Sequence, residues 1–401
     1  MLQTVKNNQH DRPLTAQPKT LHLPGLNGLR AIAALAVLAT HITEGLREFQ
    51  LPLLMGTSPG DHPIVPMAGG YGVVIFFTLS GFLITYLLLA EKQKQTVDIK
   101  KFYVRRILRI WPLYYLYLAL VFICLFCFKQ AYPPVLPYYL LFAANVPYLL
   151  RTPLPFAQHY WSLGVEEQFY LFWPWLVKKW NKSLLTVILS LIALILIAKL
   201  SIHFFFHLDW GQIVIDGFAF HCMMIGGATA ILYKNGNSLF LKLTDNKISQ
   251  TVAWLFILAV LINRFHIASI LDREIISVVT AVIIIGQVNT KNRLINLEQK
   301  GFDFLGKISF GIYIYHPLVI FLTSKLLGPL AMPALPKYLL VYLTVSGLTI
   351  LIAHLSYNYF ESYFLRLKER FAVVKSAATK EAKELRMPRK TEPFQQSTES
   401  N

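Results

Sequence analysis

The sequence is short of charge. Charged residues make up 15% of it and apolar residues 55%, where a soluble domain usually carries about 25% charge. That balance excludes an ordinary soluble enzyme and places most of the chain in lipid. Cysteine is nearly absent: Cys124, Cys127 and Cys222 all fall in apolar stretches. The C-x-x-C spacing of the first two has no second pair to complete a zinc site, and all three read as packing residues. No cluster of ligands stands at a spacing usable by a metal. No secretory leader opens the chain, because the first 22 residues are polar and include Lys6, Arg12 and Lys19. No internal repeat is visible, so an inverted-repeat transporter has no support in the sequence.

Long apolar runs are abundant. A crossing needs roughly 20 residues for a ~30 Å hydrocarbon core, and runs near that length lie at 27–46, 71–90, 111–128, 163–178, 183–202, 213–233, 250–264, 274–290, 308–327 and 337–360. The expected fold is therefore all-α, a polytopic transmembrane helix bundle of about ten spans. The segment "VLPYYLLFAANVPYLL" at 135–150 reads as interfacial or re-entrant and would be the eleventh span if it crossed. Ten spans with the N-terminus inside leave 29 of the 38 Lys and Arg on cytoplasmic segments and seven outside, with Arg30 and Lys199 within spans. This is the positive-inside bias. The basic excess is a topology signal and gives no reason to invoke nucleic acid. Residues 1–22 form a cytoplasmic tail in this reading, 23–370 the membrane-embedded domain, and 371–401 a polar cytoplasmic tail with the composition of disorder.

Ionisable residues within apolar runs are costly and point to function. The first run, "LNGLRAIAALAVLATHI", carries Arg30 and His41 eleven residues apart. On a helix that spacing places them within ~20° of one face and about 16 Å apart along the axis. Its alanines make it thin enough for close packing. The second run, "GGYGVVIFFTLSGFLITYLLL", is rich in glycine and holds Ser80, for which bonding back into its own helix is the commoner fate. In "KKFYVRRILRIWPLYY", Arg106 and Arg109 share a helix face ahead of a membrane entry at Trp111 and Pro112, a pairing suited to phosphates. In "HYWSLGVEEQFYLFWPW", Ser162, Glu166 and Tyr170 share a face at i, i+4 and i+8 while Glu167 points about 100° away. The two glutamates lie near the start of that span, where the helix dipole favours negative charge. Asp216, His221 and His316 are further intrusions. Taken singly, the two histidines read as structural, although Ser309, Tyr313 and Tyr315 surround His316 in sequence.

Taken in order, "LNGLRAIAALAVLATHI", "GGYGVVIFFTLSGFLITYLLL", "FYVRRILRIWPLYY", "HYWSLGVEEQFYLFWP", "LGKISFGIYIYHPLVI" and "HLSYNYFESYFLRLKERF" make the chain resemble the acyltransferase 3 family of bacterial integral-membrane acyltransferases. The resemblance covers about residues 23 to 370. The family's arginine, ten residues, histidine pattern falls on Arg30 and His41, its arginine pair on Arg106 and Arg109, and its serine-to-tyrosine pattern on Ser162 through Tyr170 with Glu166 as the glutamate. Asn27 stands where an aspartate is more usual, and no proline follows the glutamate of "FESYF".

The resemblance implies transfer of an acyl group, often acetyl, from cytoplasmic acyl-CoA to a hydroxyl of an extracytoplasmic glycan, in a multi-pass protein of the bacterial cytoplasmic (inner) membrane. Acyl-CoA is then a co-substrate; no cofactor or metal is called for, and the partners are the bilayer, acyl-CoA and a carbohydrate acceptor. His41, Arg30 and Glu166 are the expected catalytic residues, with His41 as general base or transient acyl carrier and Glu166 orienting it or meeting the sugar at the outer mouth. Arg106 and Arg109 are the expected donor-binding pair. Ser162, Glu167, Tyr170, Ser80 and His316 complete a candidate pocket. Two rivals use similar residues: a proton-coupled transporter and a non-catalytic polysaccharide-export subunit. No separate extracytoplasmic catalytic domain is expected beside the membrane unit.

Overall fold

A computed structural model describes residues 22–57, 64, 66–206, 217–268 and 270–373. Asp216 and nearly all of both polar tails lie outside the described residues. Among the described residues the fold is all-helical, with no β-strand.

Each of the ten apolar runs holds a helix. These are α1 (Leu26–Glu44), α2 (Ala68–Lys92), α3 (Ile99–Cys127), α6 (Tyr160–Lys179), α7 (Leu184–Ser201), α8 (Phe220–Lys234), α10 (Lys247–Leu261), α11 (Asp272–Asn289), α13 (Ser309–Leu327) and α14 (Ala334–Ser356). Six of them, α1, α2, α3, α7, α13 and α14, are long and apolar enough to cross a membrane. Short helices connect them: α4 (Leu136–Leu140), α5 (Asn145–Leu149), α9 (Ser238–Thr244), α12 (Lys300–Lys307) and α15 (Ser362–Glu369). The 135–150 stretch is thus two five-residue helices, α4 and α5. Neither is long enough to cross a membrane.

α3 departs from expectation. It starts at Ile99, where the Asp98 side chain accepts from the Lys101 amide at 3.0 Å, a conventional N-cap. The arginines therefore ride on the first three turns of one 29-residue helix rather than on a segment leading up to it. Pro112 sits inside that helix.

α2 is central and packs against α1, α6, α8 and α11. Its approach to α8 is backbone on backbone. A Cβ on Gly81 would lie 1.9 Å from the Met223 carbonyl oxygen, and one on Gly226 would lie 2.0 Å from that of Thr78. This is the small-residue mode of helix association in lipid. α7 and α14 turn most of their apolar surface outward, with only 17% and 22% of their best spanning windows buried, against 67% for α2 and α13. They read as the lipid-facing periphery.

Lys199 of α7, His221 of α8 and Glu274 of α11 meet in the interior. Lys199 Nζ donates to Glu274 Oε1 at 2.8 Å, and His221 Nε2 lies 3.3 Å from the same oxygen. Removing one member of a buried ion pair typically costs about 3–5 kcal/mol, whereas replacing both by apolar groups of similar size is often neutral. Lys199→Met should accordingly lower the thermal transition in detergent by several degrees, and Lys199→Met with Glu274→Leu should recover most of the loss. A double variant less stable than the single one would mean that the cluster is more than a pin.

Candidate active site

α1, α2, α3, α6 and α13 enclose a cavity of about 590 Å³, within the range of small-molecule sites. It reaches the surface beside His22 and Lys300, both exposed, and runs inward to Ser162 and Tyr313. Arg30, Arg106, Arg109, Ser80, Glu166 and Tyr170 line it between those ends.

The arginines set its charge. Arg30 lies in the field of Arg109, Glu166 and Arg106. Arg106 stands over the Tyr170 ring, 4.9 Å from its centroid. Arg105, by contrast, is tied to Glu91 at 2.9 Å and donates to the Phe371 carbonyl. Six Lys and Arg and five Asp and Glu line the cavity, and the positive charge gathers where Arg30, Arg106 and Arg109 surround Glu166, a cluster suited to an anion such as a phosphate ester.

Glu166 anchors this arrangement. One of its oxygens, Oε1, accepts from Ser80 Oγ at 2.5 Å and from the Tyr170 hydroxyl one turn along α6. The i, i+4 relation between Glu166 and Tyr170 is thus realised as a hydrogen bond. Ser80 reaches across to α6 instead of bonding back into α2. α6 begins at Tyr160, so Glu166 sits in its second turn, where the dipole has faded. Two hydroxyl donors and nearby arginines hold the carboxylate there. Glu167 turns to a different face and meets Trp111 Nε1 at 3.4 Å. It does not line the cavity.

The expected contact between Glu166 and His41 is not made. His41 Nδ1 instead lies 2.6 Å from His316 Nε2, and the two rings meet edge to edge and nearly coplanar, with centroids 4.8 Å apart and 11° between planes. The reason is distance along α1: Arg30 and His41 share a stripe, but the helix rise carries them to opposite ends of the site. Arg30 enters the cavity with Glu166, while His41 lies beyond the cavity head, its Nε2 3.9 Å from Glu44 and its side chain 35% exposed. His316 is fully buried, with Nδ1 3.2 Å from the Ile312 carbonyl.

His159 is the residue that sequence reasoning passed over. Its ring packs 5.2 Å from that of His316 and 5.3 Å from that of Tyr313. The Tyr313 hydroxyl donates to the His159 carbonyl at 2.9 Å and lies 2.6 Å from Ser162 Oγ. The signal was available, since 159, 162, 166 and 170 continue one helical stripe. Among the described residues no group of three His, Cys, Asp or Glu is arranged to hold a metal ion.

Asn27, standing in an aspartate's place, donates to Asp303 Oδ1 of α12 at 2.8 Å. An aspartate there would set two carboxylates against each other. Without a proline after Glu361, α14 runs on through a π-helical turn, Tyr357–Glu361, into α15.

The acyltransferase domain of the acyltransferase 3 family matches residues 23–357, most of the chain. The chain belongs to the acyltransferase 3 family. It is 26% identical over 371 residues to an O-acetyltransferase OatA of Staphylococcus aureus (strain NCTC 8325 / PS 47), a stretch covering 85% of this chain and 57% of that protein. It is 32% identical over 194 residues to the peptidoglycan O-acetyltransferase OatA of Listeria monocytogenes, covering 42% of this chain and 27% of that one. The chain therefore spans little more than half the length of the curated S. aureus relative it matches. No solved structure matches it. The arginine and histidine of the family pattern sit at the two ends of the site just described, joined by one helix.

The two glutamates should separate in acyl-transfer assays. Loss of a charge-assisted hydrogen bond costs about 1.5–3 kcal/mol, or roughly 10- to 150-fold. Glu166→Gln should lower turnover by that factor, and Glu167→Gln should stay within about threefold of wild type. Equal losses would place both carboxylates in the site and contradict the geometry.

Proposed function

We propose that the chain is a multi-pass membrane O-acetyltransferase that moves an acetyl group from acyl-CoA on the cytoplasmic face to a glycan hydroxyl on the opposite face. One observation carries the reading: a single helix places Arg30 in a basic cavity and His41 outside that cavity's lining, with its side chain 35% exposed beside Glu44. The donor's phosphates would sit among Arg106, Arg109 and Arg30, with its thioester at the cavity head beside Ser162 and Tyr313. The cavity opens beside His22 and Lys300, on segments counted as cytoplasmic under the positive-inside rule, which supports a donor entering from the cytoplasm. Ten spans agree with the same count, and the bacterial cytoplasmic-membrane location rests on the family resemblance.

In this reading His41 Nε2 removes the acceptor's proton as the hydroxyl oxygen attacks the thioester carbonyl. Arg30, about three turns along α1 from His41, would hold or position the donor. Direct transfer and a short-lived acetyl-imidazole both fit His41. The relatives' names supply the acceptor class, and peptidoglycan is the first glycan to test.

The test uses purified protein in nanodiscs with acetyl-CoA labelled in the acetyl group and peptidoglycan fragments. Wild type should release CoA and label the glycan. His41→Ala should lose at least about 100-fold of transfer, as expected for a general base, while reaching the membrane normally. Arg106→Ala with Arg109→Ala should raise the KM for acetyl-CoA with a smaller effect on kcat. A His41→Ala protein as active as wild type would refute the assignment.

A further inference from the structure

We propose that Lys368, carried into the basic cavity by α15, is a further phosphate-binding residue of the donor site and helps it select a phosphorylated donor. The proposal rests on the acyl-CoA reading above and adds to it a residue from beyond the last spanning helix.

The fold brings Lys368 there in two steps. α14 continues through the π-helical turn Tyr357–Glu361 into α15, Ser362–Glu369. A π turn takes up one residue more than an α turn, so the residues after it are rotated by about 100°. α15 then packs against α3, the helix that carries Arg106 and Arg109. The segment that follows is fixed from α3 as well. Arg105 Nη1 donates to the Phe371 carbonyl at 2.9 Å, and its Nη2 donates to buried Glu91 at 2.9 Å. Lys368, Glu369, Ala372 and Val373 thereby line the donor cavity.

Within that wall Lys368 stands as a cation without a partner. It lies in the field of Arg109, Arg106 and Arg30, and of Glu369 next to it in the chain. Among the described residues no hydrogen bond or ion pair engages its ammonium. Lysines that hold the fold together look different here. Lys92 donates to the carbonyls of Val177, Lys178 and Trp180 at the end of α6, and Lys337 to those of Gly328 and Leu330.

The cavity's other acids are engaged elsewhere: Glu91 with Arg105, Glu298 with His22, and Asp303 with Lys307. Glu166 accepts from Ser80 and Tyr170 and offsets part of the arginines' charge. Lys368 adds to the repulsion among those arginines, and repulsion is strong where water is scarce. An anion with several charges relieves it at every cation at once.

Depth agrees with this assignment. Ser162 at the cavity head and Tyr170, under Arg106, are eight residues apart on α6, about 12 Å along its axis. An extended pantetheine arm spans at least that distance between its sulfur and its diphosphate. A donor with its thioester at the head therefore brings its phosphates to the level of Arg106, in whose field Lys368 lies.

The experiment compares two donors. Acetyl-CoA and S-acetylpantetheine carry the same thioester, and the second has no phosphate. Acetyl transfer to peptidoglycan fragments is measured in nanodiscs for wild type, Lys368→Met, Lys368→Arg and Arg370→Gln. Wild type should prefer acetyl-CoA in kcat/KM. Lys368→Met should raise KM for acetyl-CoA about tenfold, the lower end for a charge-assisted hydrogen bond, with a smaller effect on kcat. Its preference for acetyl-CoA should shrink by the same factor. Lys368→Arg should retain most of the preference. Arg370→Gln, which removes an exposed charge from the same segment, should retain all of it. A packing defect slows both donors alike and leaves their ratio intact, so an unchanged preference in Lys368→Met would overturn the proposal. An equal loss in Arg370→Gln would overturn it too. Calorimetric titration of CoA and of pantetheine into the same preparations gives the comparison without turnover, so an inactive variant is still decided: CoA affinity equal to wild type contradicts the assignment. Wild type that shows no preference for acetyl-CoA would instead refute the acyl-CoA reading itself.

Discussion

Hydrocarbon tolerates an ionisable group only when that group finds a partner, an aqueous cavity or a neutral form. The rest of this fold is arranged around that constraint, and it meets it in three ways. Lys199 and Glu274 neutralise each other between α7 and α11. Arg30, Arg106 and Arg109 share a cavity open to one face. The histidines stay together, with His41 and His316 hydrogen-bonded to each other and His159 edge-on to His316. The glycine-mediated contact of α2 with α8 makes the second solution possible, since it leaves the opposite side of α2 free to present Ser80 to Glu166.

Glu166 is the hinge between packing and chemistry. It joins α2 to α6 through Ser80, sets the tyrosine over which Arg106 lies, and offsets part of the arginines' mutual repulsion. Placing this carboxylate among the cavity arginines leaves it out of contact with His41, whose Nε2 lies 3.9 Å from Glu44. His41 is left with another imidazole as its partner, which orients it without pinning a charge on it.

Much of this was legible in the sequence. Apolar runs located all ten long helices, because a 20-residue apolar stretch has few alternatives. The prolines of 135–150 signalled an interrupted segment, and the break itself falls at Phe142, whose φ of 55° is left-handed. The stripe through Ser162, Glu166 and Tyr170 and the stripe through Arg30 and His41 both survive in three dimensions. What periodicity could not supply was which stripe faces which. The Glu166–His41 contact failed for that reason: a helical face gives direction, while depth depends on how the neighbouring helix is shifted along its axis. The start of α3 was missed because a charged first turn resembles a loop until its cap is identified. His159 was missed because it lies one residue before the start of α6, ahead of the stripe counted from Ser162.

The central claim is that the donor enters the basic cavity and stops at its head. A cryo-electron microscopy structure with a thioether analogue of acetyl-CoA tests it directly. The account predicts density for the phosphates among Arg106 and Arg109, and the sulfur against Ser162 and Tyr313 with His159 behind them. An analogue bound the other way round, with its phosphates at His41 and Glu44, or bound outside the cavity, would contradict it.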